Sequence, residues 1–211
     1  MRRMSPLDHL LNEAGRWLSD FHPPPGAARA YPAESLPDDK LNESRKRESA
    51  AFMRVNHAGE IAAQGLYLGQ ALTARSEAVR THMRMAAREE TDHLRWCEQR
   101  LCELDSRVSW LTPFWGLGSL AIGVVAGLAG DRRSLGFVEE TERQVGAHLE
   151  SHLVRLPEED ARSRAVVEQM REDEESHRRQ AAEVGAEKVP EPVRYGMVAA
   201  ARVMTGTAYW L

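Results

Sequence analysis

Cysteine is nearly absent: the 211 residues hold two, Cys97 and Cys102. A disulfide framework is excluded, and a single C-x-x-x-x-C spacing is a poor zinc signal. Both are expected as core or free thiols of a protein in a reducing, cytoplasm-facing compartment. An excess of charge of one sign is also missing. The net charge of −4 gives no global reason to expect nucleic acid as a partner. There is no P-loop, no G-x-G-x-x-G and no H-E-x-x-H. The opening MRRMSPLDHLLNEAGRW lacks the long apolar stretch of a secretory signal. No segment alternates with the period of a half-buried strand. Proline is sparse along most of the chain, because six of the ten fall in the first 45 residues, three of them in HPPPG at 22–26. Such a stretch holds neither a regular helix nor a central strand.

What remains is helical. Residues 1–45 read as a Pro-rich, partly disordered leader with one short helix around PLDHLLNEAGRWL. Residues 46–211 read as one all-α domain. Four long amphipathic segments are expected at about 48–74, 77–106, 132–155 and 159–185. Between the second and third lies VSWLTPFWGLGSLAIGVVAGLAG, residues 108–130, without a charged residue. Its length alone makes it a candidate membrane span. Pro113 and five glycines weaken it as a helix, and Trp110 and Trp115 gather at one end, as at a membrane interface. Composition alone is compatible with a span, a buried crossover helix or a segment resting in one leaflet, but a single crossing would part the bundle helices on either side of it, so the insert is expected to face the membrane and lie within one leaflet. The C-terminal VPEPVRYGMVAAARVMTGTAYWL is a second mostly apolar segment and is expected as an extra helix.

Two words in this chain are alike. EETDH at 89–93 and EESH at 174–177 each contain Glu-x-x-His: Glu90 with His93, and Glu174 with His177. Residues three apart share a helix face. The stripe through the first pair reads Val79, Met83, Ala86, Glu90, His93, Cys97, Leu101. The stripe through the second reads Val167, Met170, Glu174, His177, Ala181, Val184. Both pairs therefore sit in apolar, core-facing stripes. A buried ionised carboxylate costs several kcal/mol unless paired or metal-bound.

Each remaining helix offers one matching intruder. Glu60 stands alone among Met53, Asn56, Ala63, Tyr67 and Ala71. Glu142 stands among Leu135, Val138, Val145 and Leu149. Glu139 is the alternative on the third helix, with more polar neighbours. Glu60 precedes Glu90 by 30 residues and Glu142 precedes Glu174 by 32, so the chain reads as a doubled hairpin. This is the ligand set of ferritin-like di-iron or di-manganese bundles, and carboxylate with imidazole suits iron or manganese. Metal-bound histidines usually donate their other nitrogen to an acid. Glu89 and Asp173 each precede a ligand glutamate and are expected to orient His177 and His93 crosswise. His148 lies just off the Glu142 stripe, as core or as a neighbour of the site. His57 and His82 are expected not to be ligands.

RVNHAGEIAAQGLYLGQ, EETDHLRWCEQRL, SLGFVEETERQV and MREDEESH together resemble the demethoxyubiquinone hydroxylase family. The resemblance runs from about residue 50 to the C-terminus. It implies a ferritin-like fold, two iron ions, and Glu60, Glu90, His93, Glu142, Glu174 and His177 as their ligands. It implies O2-dependent hydroxylation of 2-polyprenyl-3-methyl-6-methoxy-1,4-benzoquinol and peripheral attachment to the cytoplasmic face of a bacterial inner membrane. Polyprenyl quinol, O2 and membrane lipid are then the partners; other proteins of ubiquinone biosynthesis and a second copy of the chain are further candidates. No flavin or nicotinamide motif shows how electrons arrive. A ferritin-like iron oxidase or store would use the same ligands without needing the apolar insert. A non-catalytic quinone-binding subunit would not need all six.

Overall fold

The computed structural model describes residues 29–37 and 40–211; the short helix expected near the N-terminus lies outside them. Among the described residues there are six helices and no strand: α1 Glu43–Thr73, α2 Glu77–Glu103, α3 Thr112–Leu128, α4 Asp131–Arg155, α5 Ala161–Glu183 and α6 Glu191–Trp210. Each of the four amphipathic segments is one helix of a bundle. Local chemistry sets their starts. The Asn42 side chain accepts from the backbone N–H groups of Ser44 and Arg45, both at 3.0 Å. The Asp160 carboxylate accepts from Ser163 N at 2.8 Å. Both satisfy amides that a helix N-terminus leaves open.

The short connections after α1 and α4 make α1–α2 and α4–α5 antiparallel hairpins. They are joined by α3, which travels the length of the bundle. At its start Trp110 N donates to Leu211 O at the far end of α6, 3.4 Å away. At its end the chain enters α4 through Gly130, at φ 107°. There the Asp131 carboxylate accepts from Arg75 N and Ser76 N of the α1–α2 turn, at 2.9 and 2.8 Å.

The glycines that weaken α3 as an isolated helix let it dock. A Cβ on Gly123 would fall 2.2 Å from Leu66 O, and one on Gly69 of α1 would fall 2.3 Å from Leu120 O. The backbones of α1 and α3 are thus in direct contact, as in small-residue helix packing. Leu120 packs inward on the core, while Phe114, Leu117, Ile122, Val125 and Leu128 are exposed. The insert is therefore a crossover helix with one covered and one open apolar face. No helix among the described residues is long and apolar enough to cross a membrane.

Among the described residues two apolar clusters fill the four-helix bundle, and a small third one joins Val55 and Ala58 of α1 to Ala208 of α6. Of the first two, one contains Met53 of α1, Trp96 and Cys97 of α2, Leu149 of α4 and Met170 of α5. The other contains Ala63 and Tyr67, Met83 and Ala86, Val138, and Ala181 of the same four helices. On each of these four helices a buried glutamate, Glu60, Glu90, Glu142 or Glu174, lies between the two.

Candidate metal centre

The clusters form a floor and a ceiling, and the polar layer between them holds the six residues singled out in the sequence. Glu60 comes from α1, Glu90 and His93 from α2, Glu142 from α4, Glu174 and His177 from α5. All are buried; His177 is the most accessible at 6%. They form two overlapping groups. Glu60, Glu90, His93 and Glu174 bring one ligand atom each within 4.8 Å of one another, as do Glu90, Glu142, Glu174 and His177. Glu90 and Glu174 belong to both groups. Glu142 is in the cluster, and Glu139 is not.

The inner ring nitrogens face the acids. His93 Nδ1 is 2.9 Å from Glu90, 3.4 Å from Glu60 and 3.4 Å from Glu174. His177 Nδ1 is 3.6 Å from Glu90 and 3.7 Å from Glu174. These are ion-pair distances without hydrogen-bond alignment. Both Glu90 oxygens, both Glu142 oxygens, Glu174 Oε1 and both Nδ1 atoms have no hydrogen-bond partner. Buried polar atoms are rarely left so.

The outer nitrogens are fully engaged. His93 Nε2 is 3.0 Å from Asp173 Oδ2, and His177 Nε2 is 2.5 Å from Glu89 Oε2. Each hairpin's acid holds the other hairpin's histidine. An Nε2–H donated outward leaves the Nδ1 lone pair facing the centre, which is the form a metal needs.

The electrostatics agree. Burial drives the Glu60 and Glu142 carboxyls well above the usual carboxylate range, and neighbouring carboxylates add to it. Burial works to raise Glu174 as well, but contact with Glu142, His177 and His93 holds it low. Burial works to lower both histidines. Asp173 and the inner carboxylates overcome it at His93, and Glu174 and Glu89 lift His177 to about 12. Without cations, such a site must take up protons to balance its acids. Two divalent cations would balance four carboxylates, satisfy the orphaned oxygens and leave both imidazoles neutral. An all-oxygen-and-imidazole donor set fits iron or manganese.

The other sequence expectations fall elsewhere. His148 packs on His152, with ring centroids 4.0 Å apart. His57 is paired with Glu98 at 3.3 Å. Arg29, to which the sequence assigned no role, donates to Asp173 from 144 residues away. No helical periodicity links it to the site, so only the folded chain could find it.

A four-helix bundle with two Glu-x-x-His helices and two single-glutamate helices around one buried polar layer is a ferritin-like protein of the carboxylate-and-histidine class, with groups that could hold metal. The chain belongs to a particular family of that class: residues 47–208 match the family model described as ubiquinone biosynthesis protein COQ7. Its relatives include proteins named 3-demethoxyubiquinol 3-hydroxylase. That of Bordetella pertussis is 53% identical, covering 100% of this chain and 95% of its own. That of Nitrosomonas europaea is 53% identical over 97% and 99%, and that of Chromobacterium violaceum 50% over 96% and 98%.

Proposed function

We propose that this protein is a 3-demethoxyubiquinol 3-hydroxylase, using O2 to hydroxylate 2-polyprenyl-3-methyl-6-methoxy-1,4-benzoquinol in ubiquinone biosynthesis. The observation that carries the reading is the double carboxylate–imidazole cluster with orphaned donor atoms, in a chain about half identical to hydroxylases of that name. Two iron ions would be held by Glu60, Glu90, His93, Glu142, Glu174 and His177, Glu60 and His93 lying in one group of donors, Glu142 and His177 in the other, and Glu90 and Glu174 in both. When bound, iron would relay electrons to O2, so that one oxygen atom enters the C–H bond and the other leaves as water, the two electrons coming from a reductant such as a quinol.

The residues of the chain do the rest. Asp173 and Glu89 fix the two imidazoles through their outer nitrogens. The apolar clusters above and below keep bulk water away from the acids. The open apolar faces of α3 and α6, with Phe114, Leu117 and Val125 on one and Tyr195, Val203 and Trp210 on the other, suit a lipid surface and a polyprenyl substrate. The protein is accordingly assigned to the cytoplasmic face of the inner membrane as a peripheral protein, with this surface as the quinol entrance.

A strain lacking the gene should accumulate the demethoxy quinone, and the intact chain should restore ubiquinone while Glu174→Ala does not. Reconstituted protein should hold about two irons per chain by the ligand count. A normal quinone profile in the deletion strain would sink the hydroxylase reading. Many irons per chain without quinol turnover would instead indicate an iron store.

A further inference from the structure

The two halves of the centre match in ligands but not in what stands behind them. Behind His177 is Glu89, with 50% of its side chain open to solvent. Behind His93 is Asp173, 18% open, and Asp173 is itself gripped. Arg29 donates to both of its oxygens, Nη1 to Oδ2 at 2.5 Å and Nη2 to Oδ1 at 3.1 Å. Gln169 Nε2 donates to Oδ1 at 3.2 Å. The same guanidinium lies 4.9 Å from the Trp96 ring centroid, and that ring is 5.3 Å from the His93 ring. One arginine therefore touches both groups that border the imidazole on its outer side, Asp173 and Trp96.

Arg29 is not a loose surface side chain. Its own N–H donates to Asp92 Oδ2 on α2 at 3.3 Å. Its strap is fixed two and four residues on by the buried Tyr31 and Ala33. Tyr31 OH donates to Glu103 of α2 at 3.1 Å, and Leu36 O accepts from Arg162 of α5 at 2.6 Å. The strap thus joins the two helices that carry Glu-x-x-His. An ion pair with 46% of its arginine side chain exposed adds little to stability. Its consequence is geometric: a planar fork sets a carboxylate's orientation as a point charge does not.

We infer that Arg29 is a positioning residue for the His93 half of the centre, acting through Asp173 and Trp96 and making the two metal positions unequal. This rests on the two-metal reading above.

The test uses protein loaded anaerobically with iron(II) and an excess of a colorimetric chelator. Wild type should hold two equivalents, released in two phases. Arg29→Ala should speed one phase about 10- to 100-fold, the usual effect of losing a partner that orients a ligand, and leave the other alone. Glu89→Ala should speed the other phase, and the double variant both. In Mössbauer spectra Arg29→Ala should shift one of the two iron signals. Arg29→Lys, which keeps the charge and loses the fork, should recover only part of the difference. Tyr31→Phe removes one hydrogen bond to Glu103 while the ring stays buried and Arg29 keeps Asp173, and should release iron as wild type does. If Arg29→Ala does not fold, Arg29→Gln carries the same expectation. Unchanged release, or both phases quickened alike, would overturn the proposal. Fewer than two equivalents in wild type would overturn the two-metal reading itself, and the proposal with it.

Discussion

Glu142 and Glu139 sit one turn apart on α4, yet only Glu142 is fully buried and within reach of Glu174. Apolar neighbours at Leu135, Val138 and Leu149 marked it in the sequence, because a carboxylate in a core stripe needs a partner. Glu142→Ala should lower iron affinity more than about 100-fold, beyond the range seen when only an outer partner is lost, and abolish turnover. Glu139→Ala should leave occupancy near two and activity within a few-fold. Metal analysis and quinol turnover of the two variants check this, and the reverse pattern would remove Glu142 from the ligand set. The same stripe reasoning could not see Arg29, whose partner Asp173 is distant in sequence. It also gave His148 no definite place; the fold packs it edge-on against His152, whose pKa burial lowers to about 2.

At the scale of elements, α3 carries two different faces. Composition alone left open a span, a crossover or a leaflet segment, because it reports how apolar a segment is and not what covers it. The structure puts Gly116, Gly123 and Gly127 inward and Phe114, Leu117 and Val125 outward. Two sets of substitutions should therefore separate. Phe114→Asp with Val125→Asp should move the protein from the membrane fraction to the soluble one and impair quinol hydroxylation, with iron content and melting temperature nearly unchanged. Gly123→Val should lower stability by several kcal/mol, since its side chain would overlap the Leu66 carbonyl and overpacking is costly. Fractionation and thermal melts distinguish the two. Continued membrane binding by the aspartate pair would move the lipid-facing surface off α3.

At the scale of the whole molecule, the floor of the bundle is tied by a charge network. Glu103 accepts from Arg162 at 2.7 and 3.0 Å, from Arg100 at 2.9 Å and from Tyr31 OH at 3.1 Å. Arg100 also donates to the fully buried Asp160 at 2.7 Å. Burial works to raise the Glu103 carboxyl, but hydrogen bonds from Arg162 and Arg100 bring it down to about 2. A depressed carboxyl stabilises the fold above its unfolded pKa, and that contribution is lost as pH falls through the folded value. Glu103→Gln should therefore cost about 1–3 kcal/mol at pH 7, allowing for solvent screening. The gap from wild type should hold down to about pH 4.5 and close towards pH 2. Denaturant melts of both proteins across that range measure it. A gap that stays constant with pH would show that the Glu103 charge is not what holds this end together.

The sequence by itself determined the helical class, the four bundle segments and the six residues that share the polar layer. Helical periodicity and the energy of burying charge are both properties of a local stretch: a Glu in an apolar stripe stands out wherever that stripe comes to rest. Only the tertiary structure decided which face of α3 is covered and that Arg29 closes over Asp173. Those depend on how separate segments meet, and what brings them together is backbone contact at glycines such as Gly69 and Gly123 and the anchoring of the strap by Tyr31 and Ala33. Such pairings between distant segments leave no periodic trace along the chain, because their strength comes from shape and orientation in the folded state.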